Sequence, residues 1–232
     1  MFFAINTIII LNKVIKDNKK NIDLIREDIK NLGNDIMNKN SNNDNNNCRI
    51  IKTKILNCGK YVGETKNDLM EGKGKLYYNN GDTYEGEFHN NNREGKGLLF
   101  FSDGGKYVGE YKNDLREGKG ILYFKNGDRY EGDFKDDLRE GKGIIYFNNG
   151  DRYEGDWKNN AFEGKGIYYY NIGISKGNAY EGEFKKGIAH GKGIFYYYNG
   201  IRQMGDYLNG NPIGKHVSLY PNGKVEANNF QE

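Results

Sequence analysis

The sequence predicts a mainly β protein assembled from tandem two-stranded units, and three observations carry that prediction. A tyrosine-led string begins at Tyr61, Tyr84, Tyr107, Tyr130, Tyr153, Tyr180 and, degenerately, Gln203, with 23 residues between starts at every step but one. Thirty-three glycines and thirty-one Tyr and Phe residues, against only two prolines, suit short aromatic strands and tight turns better than helices. Within each string, apolar residues alternate with polar ones at the period of two of a half-buried strand. A unit of this size cannot bury a face alone, so it is expected to stack on its neighbours.

The segments take their roles in chain order. Over residues 1–37, Ile8, Ile15, Ile22, Ile29 and Ile36 fall seven apart, with Leu11, Ile25 and Leu32 three residues after three of them. This a/d pattern predicts an N-terminal α-helix suited to a coiled coil, with Asn18 at a d position where a buried amide would fix register. The apolar stripe suits self-association, and docking on the array or a membrane or targeting role are the alternatives. The run from Phe2 to Leu11 is short of the ~18 residues of a membrane span, and it lacks the flanks of a secretory signal. Residues 38–49, rich in asparagine, make a flexible linker. Residues 50–60 resemble the second half of a unit and predict a degenerate capping strand. Units fill 61–223, and 224–232 remain as a C-terminal tail.

Inside one unit, "RYEGDF" (Arg152 to Trp157 in its next copy, "RYEGDW") forms one strand and "GKGIIYF" (Gly141–Phe147) the other, with the polar loop "KDDLRE" between. Asn149-Gly150 is expected to close a two-residue type I′ hairpin. Counting outward places Tyr146 opposite Tyr153 and Ile144 opposite Gly155, with Glu154, Asp156, Ile145, Phe147 and Arg152 on the other face. Gly141 and Gly143 of "EGKG" recur as Gly72/Gly74, Gly95/Gly97, Gly118/Gly120, Gly164/Gly166 and Gly191/Gly193. No helix follows them to cradle a phosphate, so they predict bulges or close backbone contact.

Composition narrows the function. Residues 1–57 carry ten Lys/Arg against six Asp/Glu, a balance of +4; the rest of a +3 chain is therefore at −1. A near-neutral array offers no bulk attraction to nucleic acid and only a weak pull on anionic lipid. Cys48 and Cys58 form no disulfide framework, which fits a reducing, cytoplasmic setting. His89, His190 and His216 lie in different units without zinc spacing and are expected as exposed surface residues. Glu85/Glu87 and Glu181/Glu183 repeat in like environments, whereas a catalytic carboxylate pair needs unlike ones. With the lysines of "GKG" they predict a solvated, charge-balanced surface. No enzyme activity, metal or cofactor is expected.

The pattern Y-x-G-(E/D)-(F/Y/W)-x5-E-G-K-G-x-x-x-(Y/F)-x-N-G, in register from Tyr61 to Gly223, resembles the MORN (membrane occupation and recognition nexus) repeat. Units at Tyr107 and Tyr130 follow it most closely. Those at Tyr84 and Tyr153 depart at the turn, where Asp103 and Ile172 replace the asparagine. The resemblance implies an elongated single-layer antiparallel β-meander of about seven hairpin units, some fourteen strands or roughly 65 Å at ~4.8 Å per strand. It also implies a non-enzymatic scaffold docking proteins of the cytoskeleton or of membrane complexes, peripheral to membrane or cytoskeleton, with dimerisation as a further property. The alternative is phosphoinositide or anionic-lipid binding through Lys96, Lys119, Lys142 and Lys165. A carbohydrate- or choline-binding array is disfavoured because such cages use tryptophan, and Trp157 is the sole one.

The binding surface is expected on the aromatic face, at Tyr107, Tyr130, Tyr153 and Tyr180, with specificity where the units differ. The fifth unit differs most. Trp157 replaces Phe or Tyr, Ala161-Phe162 replace Leu-Arg with Phe162 read as an exposed loop aromatic, and Ile174–Gly177 lengthen the next turn. In the last unit Gln203 replaces the tyrosine, His216 replaces the second glycine, and Pro212 and Pro221 appear, which predicts a cap that blocks further pairing.

Overall fold

The computed structural model describes residues 50–231. The helix expected over 1–37, its isoleucines Ile8, Ile15, Ile22, Ile29 and Ile36, and the linker at 38–49 lie outside the described residues. Within them the chain forms one open antiparallel sheet of sixteen strands, each paired with its neighbours in sequence. The first eight strands are β1 (Ile50–Leu56), β2 (Gly59–Lys66), β3 (Leu69–Tyr78), β4 (Thr83–His89), β5 (Asn92–Phe100), β6 (Lys106–Lys112), β7 (Leu115–Tyr123) and β8 (Arg129–Lys135). The second eight are β9 (Leu138–Tyr146), β10 (Arg152–Lys158), β11 (Ala161–Tyr169), β12 (Ala179–Lys185), β13 (Ile188–Tyr196), β14 (Arg202–Leu208), β15 (Asn211–Leu219) and β16 (Val225–Phe230). The mainly β meander of hairpin units is therefore present, with two strands beyond the fourteen of the seven units.

One of these is β1, the expected end strand. The other corrects the domain reading: residues 224–232 supply β16, which pairs with β15 from Gly214↔Phe230 to Leu219↔Val225. The last unit accordingly does not block pairing.

The core lies on one face. Tyr61, Tyr84, Tyr107, Tyr130 and Tyr153 are 0% exposed and Tyr180 2%. Each ring lies flat over a pair of glycines facing one another across a hairpin, as Gly132 and Gly143 do beneath Tyr130. A Cβ on Gly143 would stand 2.4 Å from the Tyr130 hydroxyl, so the second glycine of "EGKG" is a close-approach residue. The first is the bulge: Gly141 has φ +70, and the register of β8 with β9 shifts between Gly132 and Phe134. Both expected roles are therefore filled, one by each glycine.

The tyrosines join a continuous edge-to-face column. Phe134 stands 5.2 Å from Tyr130 and 5.0 Å from Tyr107, and Trp157 stands 4.8 Å from Tyr130 and 5.7 Å from Tyr153. Such pairs add ~0.5–1.5 kcal/mol each beyond buried area. Each leading hydroxyl donates to a carbonyl three residues on, as Tyr130 does to Asp133 at 2.9 Å.

The register differs by one residue from the expectation. Arg152 faces Tyr146, Tyr153 faces Ile145, and Gly155 faces Gly143. Gly150 N–H donates to Phe147 O and Phe147 N–H to Asp151 O, both at 2.9 Å, so three residues lie between the closing pair, with Gly150 at φ +90. This is the longer, glycine-bulged hairpin rather than a two-residue turn. The two-residue turns lie at the other edge. Asp136-Asp137 has φ of 50 and 65, and Leu138 to Glu140, expected in the loop, open β9. A one-residue slip exchanges the faces. Ile145 belongs to the core, and Ile144 stands with Glu131 and Glu154 on the opposite face.

Candidate protein-interaction surface

The face away from the tyrosine column carries three side-by-side rows, each running across the strands. The first alternates aromatic with basic side chains: Tyr123 faces Lys106 and Arg129, and Tyr146 faces Arg129 and Arg152. The guanidinium of Arg129 lies 4.5 Å from the Tyr146 ring centre, and that of Arg152 4.3 Å from Tyr169. The middle row is aliphatic with interspersed carboxylates: Leu98, Val108, Ile121, Glu131, Ile144, Glu154, Ile167, Glu181, Ile194. The third alternates lysine and acid, with Lys96 facing Glu110, Lys119 facing Asp133, Lys142 facing Asp156 and Lys165 facing Glu183.

Strand alternation creates this surface. With Tyr130, Gly132 and Phe134 committed to the core, Arg129, Glu131 and Asp133 must project to the other side. The middle of the surface is a groove of about 780 Å³ lined by Val108, Ile121, Ile144 and the acids and lysines beside them.

Its charges are matched within the array. Lys119 pairs with Asp133 and Lys142 with Asp156, both at 2.5 Å. Burial works to raise the Asp133 and Asp156 pKa values. Hydrogen bonds from those lysine side chains and from the Lys142 and Lys165 amides outweigh it, so both carboxyls sit below the ordinary carboxylate range. The four candidate lipid-contacting lysines, Lys96, Lys119, Lys142 and Lys165, are exposed on this face. No cluster of metal-ligating side chains occurs among the described residues.

The other predicted contact residues are placed differently. Tyr107, Tyr130, Tyr153, Tyr180 and Trp157 are buried, so their rings have no surface to offer a partner. Trp157 occupies the column position of Phe134 and Phe184, and its indole N–H donates to Gly143 O at 3.0 Å. Phe162 is half-buried in β11, not in a loop, and stacks on Tyr153 at 3.8 Å. The insertion begins within a short 3-10 turn, Gly173–Ser175, with Ile174 99% exposed. His216 is fully buried rather than exposed. Alternation alone, counted from the correct turn, would have revealed the three rows.

A sheet of tandem hairpins with an aromatic core on one face and regular rows on the other defines a tandem β-repeat protein. Six consecutive segments, residues 61–83, 84–106, 107–129, 130–152, 153–175 and 180–202, match the MORN repeat, and the chain belongs to that family. No curated protein matches it. Among solved structures, the chain is similar to the Drosophila melanogaster SAS-4 (dCPAP) TCP domain in complex with a proline-rich motif of Ana2, at 11% identity and TM-score 0.45, over 82% of this chain and 96% of that one. It is also similar to the Danio rerio CPAP TCP10 domain in complex with a STIL peptide, at 14% identity and TM-score 0.45, over 76% and 82%.

Proposed function

We propose that this protein is a non-enzymatic scaffold that docks partner proteins along the three-row face, near cytoskeleton or membrane in the cytoplasm. One observation carries the proposal. A row of aliphatic side chains interspersed with carboxylates, flanked by aromatic-basic and charged rows, stays open on the side of the sheet the core does not use. Exposed apolar surface rimmed by polar groups marks protein contact sites, and the internally paired charges leave little net attraction for an acidic or basic polymer. Self-association through the heptad isoleucines is part of the same proposal.

Affinity capture tests it, using the full chain beside an Ile121→Lys/Ile144→Lys/Ile167→Lys variant. Loss of the captured proteins, with unchanged circular dichroism and thermal midpoint, supports the proposal. Capture of the same proteins at the same yield by a folded variant refutes it.

The lysine row supports anionic-lipid binding as a second reading. Pairing of Lys119 and Lys142 with Asp133 and Asp156 weighs against it.

A further inference from the structure

On the core side of the sheet, a column of side chains stands along the edge made by the two-residue turns: Met70, Arg93, Arg116, Arg139, Phe162. Each of the first four donates its amide to the second residue of the next unit's turn, namely Asn91, Asp114, Asp137 and Asn160. Side chain and turn residue are matched in charge with one exception. Met70 meets neutral Asn91. Arg93 and Arg116 meet carboxylates, with Nε to Oδ1 of Asp114 at 3.2 Å and of Asp137 at 2.8 Å. Arg139 meets Asn160, donating to its amide oxygen at 3.3 Å and its backbone carbonyl at 2.9 Å.

Arg139 is thus a guanidinium of this column with no carboxylate in ion-pair contact among the described residues. Two of its N–H groups are used by Asn160, and a guanidinium has about five to offer. Burial, opposed by Tyr130 and helped by the like charge of Arg116, holds its pKa below the ordinary arginine value. For Arg93, Tyr78, Tyr111 and Asp114 outweigh burial and raise it.

The same place is hollow. The next position of the column is Phe162 instead of an arginine, and the next turn residue is Gly187, without a side chain. Between them lies an open apolar depression of about 300 Å³, walled by Arg139, Ile145, Phe147, Trp157 and Phe162.

We infer that this pocket binds a peptide segment in which an aromatic residue enters the depression and an adjacent Asp or Glu carboxylate pairs with Arg139. The carboxylate supplies from a partner what Asp114 and Asp137 supply within the chain. The pocket lies on the opposite face from the three-row surface, so it stands or falls separately from the scaffold reading. Bidentate pairing with a carboxylate favours acidic over amide side chains at such a site.

The test uses the ¹⁵N-labelled full chain, whose one indole resonance belongs to Trp157, titrated with acetyl-Phe-Asp-amide, acetyl-Phe-Asn-amide and inorganic phosphate. The acidic dipeptide should move the resonance saturably, with at least ~5-fold tighter binding than the amide, a preference that a charge-assisted pair of about 1 kcal/mol gives. Asn160→Asp, which reproduces the pairing of the two preceding units, should abolish that preference. Arg139→Met, which copies the Met70 and Asn91 pair, should abolish it as well, so the test does not depend on one variant folding. A resonance that does not move overturns the proposal. So do equal affinities for acid and amide, a preference that survives either variant, or an equal response to phosphate.

Discussion

At the scale of residues, the last unit shows why the leading tyrosine and the glycine pair belong together. Gln203 stands where the tyrosine should be, and His216 where the second glycine should be. The His216 ring fills the vacated space from the neighbouring strand: a Cβ on Gly205 would meet it at 2.3 Å. Its Nε2–H donates to Asp206 O at 2.9 Å, the carbonyl equivalent to the one that Tyr130 uses at Asp133. It also prolongs the ring column, 5.2 Å from Tyr207 and 4.9 Å from Phe230. The two departures therefore compensate one another. His216→Gly alone should cost about 2–5 kcal/mol as a cavity, and Gln203→Tyr alone about 1–3 kcal/mol as overpacking. Together they should restore most of the loss, giving a strongly non-additive cycle in urea denaturation.

The same rings set an alkaline limit. Burial, helped by Glu64 and Glu183 respectively, pushes Tyr61 and Tyr180 up to about 12. Tyr84, Tyr107, Tyr130 and Tyr153 are raised for the same leading reason. Below the ordinary tyrosine value of about 10 both folded and unfolded chains are protonated, and the contribution is complete. Above it the unfolded chain loses protons that the folded chain keeps, so stability falls as pH rises through about 12. The urea midpoint should be steady with respect to these groups from pH 7 to 9 and fall beyond 10.

At the scale of elements, the acids that recur from unit to unit are staples. Glu140 accepts from Asn159 N–H at 3.0 Å and Glu117 from Asp136 N–H at 3.1 Å, tying one hairpin to the turn of the next. At the other edge Asp128 accepts from Asn148 N–H at 2.8 Å and Asp151 from Asn171 N–H at 2.6 Å. Glu140→Ala should cost about 1–2 kcal/mol in thermal or urea unfolding, whereas Lys135→Ala, an exposed residue of the same edge, should be within about 0.5 kcal/mol of neutral.

The hairpins themselves were legible from the period, the alternation and the glycines. Their register was not, because Asn149-Gly150 also suits a glycine-bulged loop. In the folded array Asn149 accepts the Asp151 amide at 2.8 Å, and the Asp151 side chain accepts the amide of Asn171 in the following turn, a contact formed only when the units are stacked. The mistaken register hid the candidate surface: it put Ile144 on the tyrosine side, and Ile145, which belongs to the core, on the other. Trp157 shows the same limit, since an unusual residue in a repeat is visible in sequence but its enclosure between neighbouring rings is not. The mismatch of Arg139 with Asn160 likewise appears only once residues 21 apart in the chain are brought together.

At the scale of the whole molecule, repetition gives the sheet two unlike faces over its full width: a closed ring column and an open three-row surface. The open surface is close to charge balance, so binding to anionic vesicles should be weak and should collapse between about 50 and 300 mM salt as the lysine row is screened. Vesicle flotation showing salt-resistant, headgroup-selective binding would move the lipid reading ahead of the protein one. The most direct measurement of the central claim is photo-crosslinking in a lysate of the source cells. A photoreactive residue is placed at Ile144 on the open face or at Phe101 on the core side. The account predicts discrete crosslinked partners from position 144 and none in common from 101. Partners captured from 101 and not from 144 would contradict it.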